Sequence, residues 1–436
     1  MLGDDGDGRQ GPTSRRRHGR RSDPTRRSGG FRESWGAAVA GGTVLAVAVC
    51  VGLATFGLMG GGDDASGNLA ALGGTGPGQA GQPAAPQGAS QPAQSPQAPP
   101  SPLPAESSAP AGQAAGNSAR RPTGNPVRIA FGGDVHFEGA PGQRLAADPR
   151  TAVGPMSRTL AAADLAIVNL ETAVTTGGTP ATKAFVFRAP PTAFTAMRAA
   201  GVDVVNMANN HGMDYGVEGL ADSLRSAREA DFPTVGIGAD DAAAYAPYVT
   251  TVNGQRIAIF GATQVLDDEL VSAWTAGPGK PGLASAKKVE RLAAAIREVR
   301  PTVDTVIVYL HWGVERESCP SDTQTSLVAP LVAAGADALV GGHAHVLQGA
   351  GWNHDGVYVG YGLGNFVFYA SGGGPNTETG VLELTFQGRA VTTASWVPGR
   401  IVDGAPRPLA GAAASQALTR WNSLRDCTDL AGTAPW

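Results

Sequence analysis

The sequence has few charged residues and few cysteines. The part of the chain after residue 33 has no excess of positive charge, which argues against a nucleic acid as a partner. Charged residues make up 16% of the 436 residues, and residues 1–33 alone hold nine Arg against five acidic residues, a net charge of +4. The remaining chain therefore sums to −8. Because a nucleic-acid-binding domain normally carries a basic face, we expect no nucleic acid as a partner. Gly and Pro are abundant, 62 and 32 residues, which excludes a helical bundle or coiled coil as the whole chain.

Charge is absent altogether from Trp35 to Met59. A helix of these 25 residues would be roughly 37 Å long, enough to cross a hydrocarbon core of about 30 Å with some tilt. The Arg-rich segment before it predicts a cytoplasmic tail at residues 1–33, a membrane anchor at residues 34–59 and an extracellular remainder. A cleaved secretory signal is the alternative, but Gly60-Gly61-Gly62-Asp63-Asp64 offers no clear cleavage site, so an uncleaved anchor is favoured.

Residues 60–126 lack every aromatic residue as well as Val, Ile and Met. Gly, Ala, Pro, Gln and Ser dominate this segment instead. It cannot bury enough apolar surface to offset the entropy cost of ordering, so a disordered linker is predicted. Its root-mean-square length of roughly 45 Å would hold a folded domain away from the membrane.

The three cysteines fall in two predicted environments. Cys50 lies in the uncharged run and is interpreted as a small membrane-buried residue. Cys319 and Cys427 lie in the part predicted to be extracellular, where a disulfide is permitted. Nothing in the sequence sets the distance between them, so their pairing remains open.

Short apolar runs alternate with amphipathic or Ala-rich stretches from Val127 onward, which predicts an α/β domain. Asn253-Gly254 and Gln387-Gly388 lie between apolar runs and are typical of hairpins, so mixed sheet pairing is expected. We place the folded domain at residues 127–400 and a C-terminal extension at residues 401–436.

Five of the seven histidines lie just beyond the end of an apolar run. They are His136 after residues 127–131, His211 after 202–207, His311 after 306–310, and His343 and His345 after 338–340. Asp134, Glu171 and Asn210 follow such runs in the same way. Because ligands bind at the carboxyl ends of strands in open α/β sheets, these residues are expected to converge on one edge.

This set of side chains is suited to metal binding. Imidazole together with carboxylate and amide oxygen suits Zn, Mn or Fe better than Ca or Mg, and the Gly pairs before Asp134 and His343 allow the backbone to bend sharply. Seven donors exceed the need of one tetrahedral ion and fit two ions about 3.5–4 Å apart. Taken singly, a His at a strand end is more often a structural hydrogen-bonding residue, and Asp134 could simply cap a turn.

Seven short motifs follow one another between about Arg128 and Phe368. They are Gly133-Asp134-Val135, Asn169-Leu170-Glu171, Lys183 with Phe187-Arg188-Ala189-Pro190, Asn209-Asn210-His211 with Asp214-Tyr215-Gly216, His311-Trp312-Gly313 with Glu315, Gly342-His343-Ala344-His345-Val346, and Gly364-Asn365-Phe366-Val367-Phe368. In this order they resemble the CapA family of capsule-synthesis proteins, which is linked to poly-γ-glutamate. The resemblance implies a metallophosphoesterase-like fold of the calcineurin type, a sandwich of two sheets flanked by helices.

The resemblance also implies roles for individual residues. Asp134, His136 and His345 would hold one ion, Asn210, His311 and His343 the other, and Glu171 would bridge them. His211 would stabilise the transition state or protonate the leaving group, and a metal-bound hydroxide would be the nucleophile. Many family members have an apolar residue at the position of His136, so this histidine favours a complete two-metal set here. Phosphoesterases commonly bridge with Asp, so Glu171 leaves the metal spacing open.

Five substrate-binding residues are implied in the same way, namely Lys183, Arg188, Trp312, Glu315 and Asn365. Lys183 and Arg188 would bind phosphate or the α-carboxylates of a polyglutamate, although both could equally be solvated charges at a strand edge. Trp312 and Glu315 would orient the ligand, with ordinary packing as the alternative. Asp214 is expected to fix a turn before a helix rather than to take part in chemistry.

Two functions from different classes remain open. The first is a membrane-anchored extracellular hydrolase of capsule or surface-polymer biosynthesis, whose two divalent metal ions cleave a phosphoester or a γ-glutamyl bond. The second is a non-catalytic subunit that binds an anionic polymer such as poly-γ-glutamate, or that organises other capsule-synthesis membrane subunits. Fold analogy alone does not identify a substrate.

Overall fold

The computed structural model describes residues 120–370 and 373–436. The predicted cytoplasmic tail, the predicted membrane anchor and all of the predicted linker up to residue 119 lie outside the described residues. Within the part of the chain that is described, no helix combines the length and the apolar character needed to cross a membrane.

The strands of the described residues form two large sheets and two small pairs. Their bounds are β1 Val127–Val135, β2 Leu165–Leu170, β3 Ala173–Val174, β4 Arg188–Ala189, β5 Val204–Asn206, β6 Thr234–Val235, β7 Ile237–Gly238, β8 Tyr248–Val252, β9 Gln255–Thr263, β10 Gly282–Leu283, β11 Thr305–Trp312, β12 Ala338–His343, β13 Ala350–Trp352, β14 Tyr358–Gly360, β15 Asn365–Val367, β16 Glu378–Gln387, β17 Ala390–Val402 and β18 Ala405–Pro408. The first large sheet has the order β18-β17-β16-β1-β2-β5-β6, with β15 also paired to β1. The second has the order β13-β14-β12-β11-β9-β8.

Helices of the described residues connect and cover these sheets. Their bounds are α1 Ala140–Ala147, α2 Ser157–Leu160, α3 Thr192–Ala199, α4 Gly216–Glu229, α5 Asp241–Ala244, α6 Asp268–Trp274, α7 Val289–Val299, α8 Asp322–Ala334 and α9 Gly411–Ser423. α8 begins at a capping box, in which Ser321 and Gln324 satisfy each other's backbone N–H groups, and it ends at Gly335 in the left-handed conformation.

The two large sheets pack face to face because their strands alternate buried side chains between two cores. On β11, Ile307 and Tyr309 join the core that contains Ile129 and Ile167 of the first sheet. The intervening Val306, Val308 and Leu310 pack instead with side chains of α7 and α8. A third core covers the outer face of the first sheet with α3 and α4. The predicted α/β fold of mixed sheets and flanking helices is confirmed.

Both predicted hairpins are present. Asn253 and Gly254 take φ angles of 51° and 82° between β8 and β9, as a two-residue hairpin turn requires. Gly388 takes a φ of 61° between β16 and β17. β17 runs past residue 400, the predicted end of the folded domain, so the C-terminal extension continues the first sheet before forming α9.

A ring stack and a disulfide help to fix the C-terminal segment to the domain. Trp421 of α9 stacks on Trp396 of β17 with ring centroids 4.0 Å apart. Cys427 forms a disulfide with Cys319, which lies between β11 and α8. The pairing that the sequence left open is therefore present.

Candidate metal centre

Asp134 enters the space between the two sheets through an irregularity in β1. The register of β1 against β2 shifts between Phe131 and Asp134. A Cβ atom at Gly133 would lie 1.9 Å from the carbonyl oxygen of Gly364, so only glycine allows this close passage of two backbones. The N–H of Asp134 donates to that same carbonyl at 2.9 Å. The bulge thus directs a fully buried carboxylate toward the second sheet.

His311 reaches the same space by strand alternation. It follows Ile307 and Tyr309 on the face of β11 that points to the first sheet. Trp312 must then point to the other face, where its Nε1–H donates to the carbonyl of Tyr361 at 2.6 Å and its ring packs near α8. The predicted substrate contact of Trp312 is therefore wrong, because neighbouring residues of one strand cannot both face the site.

His343 and His345 are presented by a turn in an unusual backbone conformation. Their φ angles are 94° and 55°, values that non-glycine residues rarely adopt. A Cβ atom at Gly342 would lie 2.2 Å from Asp134 Oδ1, so this glycine lets the turn approach the carboxylate. Asp134 Oδ2 accepts the backbone N–H of His343 at 2.9 Å. The turn and the bulge of β1 therefore fix each other across the two sheets.

Two groups of metal-ligand atoms lie at this junction, and they share Glu171. One comprises Glu171, His311 and His343, and the other comprises Asp134, Glu171 and His345; within each, one donor atom per residue lies within 4.8 Å of the others. Glu171 Oε1 is 3.4 Å from His311 Nε2 and 3.9 Å from His345 Nε2. Glu171, for which the resemblance implied a bridging role, is thus the residue that the two groups have in common.

The hydrogen-bonding state of this junction fits bound cations. Glu171 is fully buried, and neither of its carboxylate oxygens has a hydrogen-bond partner among the described residues. The same holds for Nδ1 of the buried His343. Burying a carboxylate without hydrogen bonds costs several kcal/mol, so a positive charge is needed beside it, from protonated His345 in the metal-free protein or from a bound cation. Carboxylate and imidazole donors of this kind fit divalent transition metals.

Two predicted ligands, Asn210 and His136, belong to neither group, and only Asn210 directly adjoins one of them. Asn210 Oδ1 is 2.7 Å from His311 Nε2, next to the group that contains His343. His136 belongs to neither group: its Nδ1 accepts the N–H of Glu138 at 3.0 Å, and its ring stacks on Phe187 with centroids 4.5 Å apart. His136 thus lies among aromatic rings beside the site, and its role as a ligand stays a prediction.

Three buried asparagines support the ligands, and the sequence reading gave none of them a role. Asn169 Nδ2 donates to Asp134 Oδ1 at 2.8 Å and lies 3.0 Å from His311 Nδ1. Asn206 and Asn209 each donate to Asn169 Oδ1, at 2.9 and 3.2 Å. The sequence position of Asn169 could have revealed its role: it lies two residues before Glu171, and side chains two residues apart on a strand share a face.

His211 is held by Asp214, a residue expected only to fix a turn. Nδ1 of His211 and Oδ2 of the fully buried Asp214 are 2.5 Å apart, while Nε2 lies 4.0 Å from Glu171 Oε1. Asp214 also accepts the N–H of Phe187 at 2.6 Å, and the Phe187 ring stacks on His211. Asp214 thus orients an imidazole whose Nε2 faces the metal-ligand groups.

The other predicted substrate residues divide into engaged and exposed groups. Lys183 donates to Asp214 Oδ1 at 3.0 Å and to the carbonyl of Asn210, so its ammonium is paired within the protein. Asn365 is buried, and its Oδ1 lies 2.9 Å from His345 Nδ1, where it orients the imidazole. Arg188, whose guanidinium lies 5.0 Å from the Tyr215 ring centroid, and Glu315 are exposed.

The electrostatics of the junction set the protonation of its histidines. Burial lowers the pKa of His343 well below its ordinary value, which keeps this imidazole neutral. Burial also lowers the pKa of His345, but the charges of Glu171 and Asp134 outweigh it and raise the pKa to about 9. Burial raises the pKa of Asp134, whereas contacts with His345, His311 and the N–H of His343 produce a net lowering. Asp134 is therefore a carboxylate near neutral pH.

Comparisons with known proteins cover this same part of the chain. A sequence model of the family described as bacterial capsule synthesis protein PGA_cap matches residues 128–370. The capsule biosynthesis protein CapA of Bacillus anthracis is 33% identical over 220 residues, 50% of this chain and 52% of that protein. The PGA biosynthesis protein CapA of Bacillus subtilis (strain 168) is 38% identical over 167 residues, 38% of this chain and 42% of that protein.

A probable polyglutamine synthesis accessory protein of Mycobacterium tuberculosis is 29% identical over 191 residues, 42% of this chain and 50% of that protein. The chain thus spans about half the length of the curated relatives it matches.

Among solved structures, a hypothetical protein from Thermus thermophilus has a TM-score of 0.39 at 19% identity, covering 63% of this chain and 100% of that one. A phosphatase of Mycoplasma pneumoniae has a TM-score of 0.40 at 15% identity, covering 63% and 94%. At these TM-scores the two structural likenesses support no argument about this chain.

Proposed function

The chain belongs to the family of bacterial capsule synthesis proteins (PGA_cap), and we propose that it is a metal-dependent hydrolase of surface-polymer biosynthesis. Its centre, of the metallophosphoesterase type, would hold two divalent ions and cleave a phosphoester or a γ-glutamyl bond. The observation that carries this proposal is Glu171, a fully buried carboxylate shared by two ligand groups and left without a hydrogen-bond partner among the described residues.

The proposed ligand set follows the observed groups. Asp134 and His345 would hold one ion, His311 and His343 would hold the other with Asn210 beside them, and Glu171 would serve both. Bound metals would stabilise developing negative charge and lower the pKa of water. Asn169 and Asn365 keep Asp134 and His345 in place through their hydrogen bonds.

His211 is the proton donor in this proposal. Its Nδ1–H is directed at the carboxylate of Asp214, which fixes the ring and leaves Nε2 toward the centre. A proton on Nε2 would pass to the leaving group, a task that imidazole performs well near neutral pH. Because Asp214 pairs with Lys183 as well, we assign Lys183 to positioning this loop and leave Arg188 to contact an anionic substrate.

The surroundings of the domain are proposed from the sequence. Residues 35–59 would anchor the chain in the cell membrane as a single span, with the folded domain outside. Residues 60–119 of the predicted linker would be the tether, because Arg120 already pairs with Asp337 of the folded domain. The disulfide between Cys319 and Cys427 supports an oxidising location for this domain.

A non-catalytic role in polymer assembly is the second candidate, and one observation favours it. Relatives in Mycobacterium tuberculosis carry the name accessory protein. In this role the centre would bind the carboxylates of an anionic polymer such as poly-γ-glutamate, and would present it to capsule-synthesis membrane subunits.

One experiment separates these two functions. The full-length chain and its Glu171→Gln variant are purified in detergent, loaded with Mn or Zn, and assayed for bound metal and for turnover of bis(p-nitrophenyl) phosphate and poly-γ-glutamate. Two ions per chain and turnover that the variant loses would support the hydrolase. Fewer than one ion per chain would overturn the two-metal centre. Two ions without turnover, with poly-γ-glutamate bound, would support the assembly role instead.

A further inference from the structure

The turn that carries His343 and His345 needs support from neighbouring residues, because both histidines have positive φ angles. Asp134 and Asn365 supply hydrogen bonds from the first sheet. One further contact comes from the loop of residues 313–321, which joins β11 to α8. Its Arg316 donates its backbone N–H to the carbonyl of Ala344, between the two histidines, at 2.7 Å.

The 313–321 loop is itself held at two points beyond Arg316. Gln348, three residues after His345, is fully buried and donates from Nε2 to the carbonyls of Glu317 and Cys319, at 2.9 and 3.3 Å. Cys319 is bonded to Cys427, and the C-terminal segment beyond Cys427 pairs with β13 through reciprocal backbone hydrogen bonds between Ala431 and Trp352, at 2.7 and 2.9 Å. A continuous path of contacts therefore runs from the C-terminal segment to the metal-ligand turn.

The loop has few other supports. Arg316 has a φ of 67°, and residues 314–317 are exposed, so little apolar packing holds them. Without the disulfide, only the hydrogen bonds from Gln348 would hold the 313–321 loop beyond Arg316, so the strained Arg316 would relax more readily and release the carbonyl of Ala344. The turn that presents His343 and His345 would then lose its contact from the second sheet.

We propose that Cys319 and Cys427 are positioning residues of the metal centre: their disulfide holds the 313–321 loop against the His343–His345 turn and thereby raises metal affinity. This inference rests on the proposed metal centre and adds a dependence on oxidation. Both cysteines are exposed, so oxidants and reductants can reach them. Full metal affinity would then be reached only after the domain has entered an oxidising compartment.

The test compares full-length wild type with the Cys319→Ser/Cys427→Ser variant in Co2+ and Mn2+ titrations and in the absorption spectrum of bound Co2+, which reports ligand geometry. Loss of a supporting contact typically lowers metal affinity by about 10–100-fold, so we expect at least a tenfold loss and a changed spectrum. Amide exchange in residues 313–321 and 343–348 should rise. The control is Trp421→Ala, which removes the stack on Trp396 but leaves the disulfide.

A second measurement covers a variant that fails to fold. Folded wild type is treated with a water-soluble phosphine, which takes oxygen from water to become phosphine oxide while the disulfide becomes two thiols; affinity is measured after its removal under argon. A tenfold loss that reoxidation reverses would support the proposal. Equal affinity and an equal Co2+ spectrum in the oxidised and reduced states would overturn it, with the metal centre intact. If oxidised wild type binds no metal, the proposed function itself fails.

Discussion

Two fully buried carboxylates, Asp337 and Glu171, lie at opposite ends of the strands and differ in their hydrogen-bond partners. Asp337, at the amino end of β12, receives Arg120, Arg300 and Arg389 at 2.7, 2.5 and 2.9 Å, together with the N–H of Val306. Glu171, beyond the carboxyl end of β2, receives no hydrogen bond from any described residue. The protein's own arginines neutralise Asp337, which stabilises the fold. Glu171 has histidines around it but no hydrogen-bond donor among the described residues, as expected for a carboxylate that binds a ligand from outside.

The largest expected effect comes from replacing Asp337, the carboxylate that three arginines contact. Asp337→Asn leaves three arginines around a neutral amide, and removing one partner of a buried ion pair typically costs about 3–5 kcal/mol. We expect the free energy of unfolding, measured by urea denaturation, to fall by this amount while metal content stays unchanged. Asp355→Asn, at a more exposed position, is the control and should change stability by less than about 0.5 kcal/mol. A large loss of bound metal in Asp337→Asn would contradict the separation of the two sites.

Changing the open site should give effects of opposite sign on stability and binding. At about pH 9.5, above the pKa of His345 of about 9, Glu171 has no cationic neighbour among the described residues, so Glu171→Gln removes an unpaired buried charge and the metal-free variant should melt at a higher temperature than metal-free wild type. The same change removes the shared ligand and should lower metal affinity by about 100-fold or more, since even supporting residues cost about 10–100-fold. Thermal unfolding with and without chelator checks both halves. A lower melting temperature of the metal-free variant would show that Glu171 is satisfied in some other way.

The pH dependence sharpens the contrast further. His345 has a pKa of about 9 in the metal-free structure, so it must lose its proton to bind metal. Metal affinity should therefore rise about tenfold per pH unit between pH 7 and 9, with about one proton released per chain, measured by titration in buffers of different ionisation enthalpy. Because the pKa is raised on folding, its contribution to the stability of metal-free protein is present below about pH 6.5 and is lost as pH rises through 9. Affinity independent of pH over this range would contradict the assignment of His345.

The smallest effect is expected from a supporting residue. Asn365→Ala removes the side chain beside Nδ1 of His345 and should lower metal affinity by about tenfold in direct titrations. Asn376→Ala is a matched control, because Asn376 contacts Asn365 only through its backbone carbonyl, which the substitution keeps. Equal affinities of the two variants would show that Asn365 does not orient His345.

The sequence allowed the general location of the site to be predicted, because strand ends and glycine pairs are local signals. It did not reveal which neighbour of a strand-end residue faces inward, although period two alone would have separated Trp312 from His311. Asp214 was underestimated although His211, the residue it orients, lies only three residues before it; its other partners Lys183 and Phe187 lie 31 and 27 residues away, beyond any local pattern. The aromatic surroundings of His136 were not foreseen, because Phe187 and Phe368 are distant from it in the sequence. The bond between Cys319 and Cys427 spans 108 residues, and no spacing rule foretells it.

The ligand residues come from both sheets, Asp134 and Glu171 from the first and His311, His343 and His345 from the second. Bound ions would consequently cross-link the two sheets at one edge of the sandwich. At a free metal concentration 100 times the dissociation constant, this binding adds about 2.7 kcal/mol of stability. A chelator in a purification buffer would then act as a mild denaturant of this domain. The melting temperature itself becomes a convenient gauge of metal occupancy.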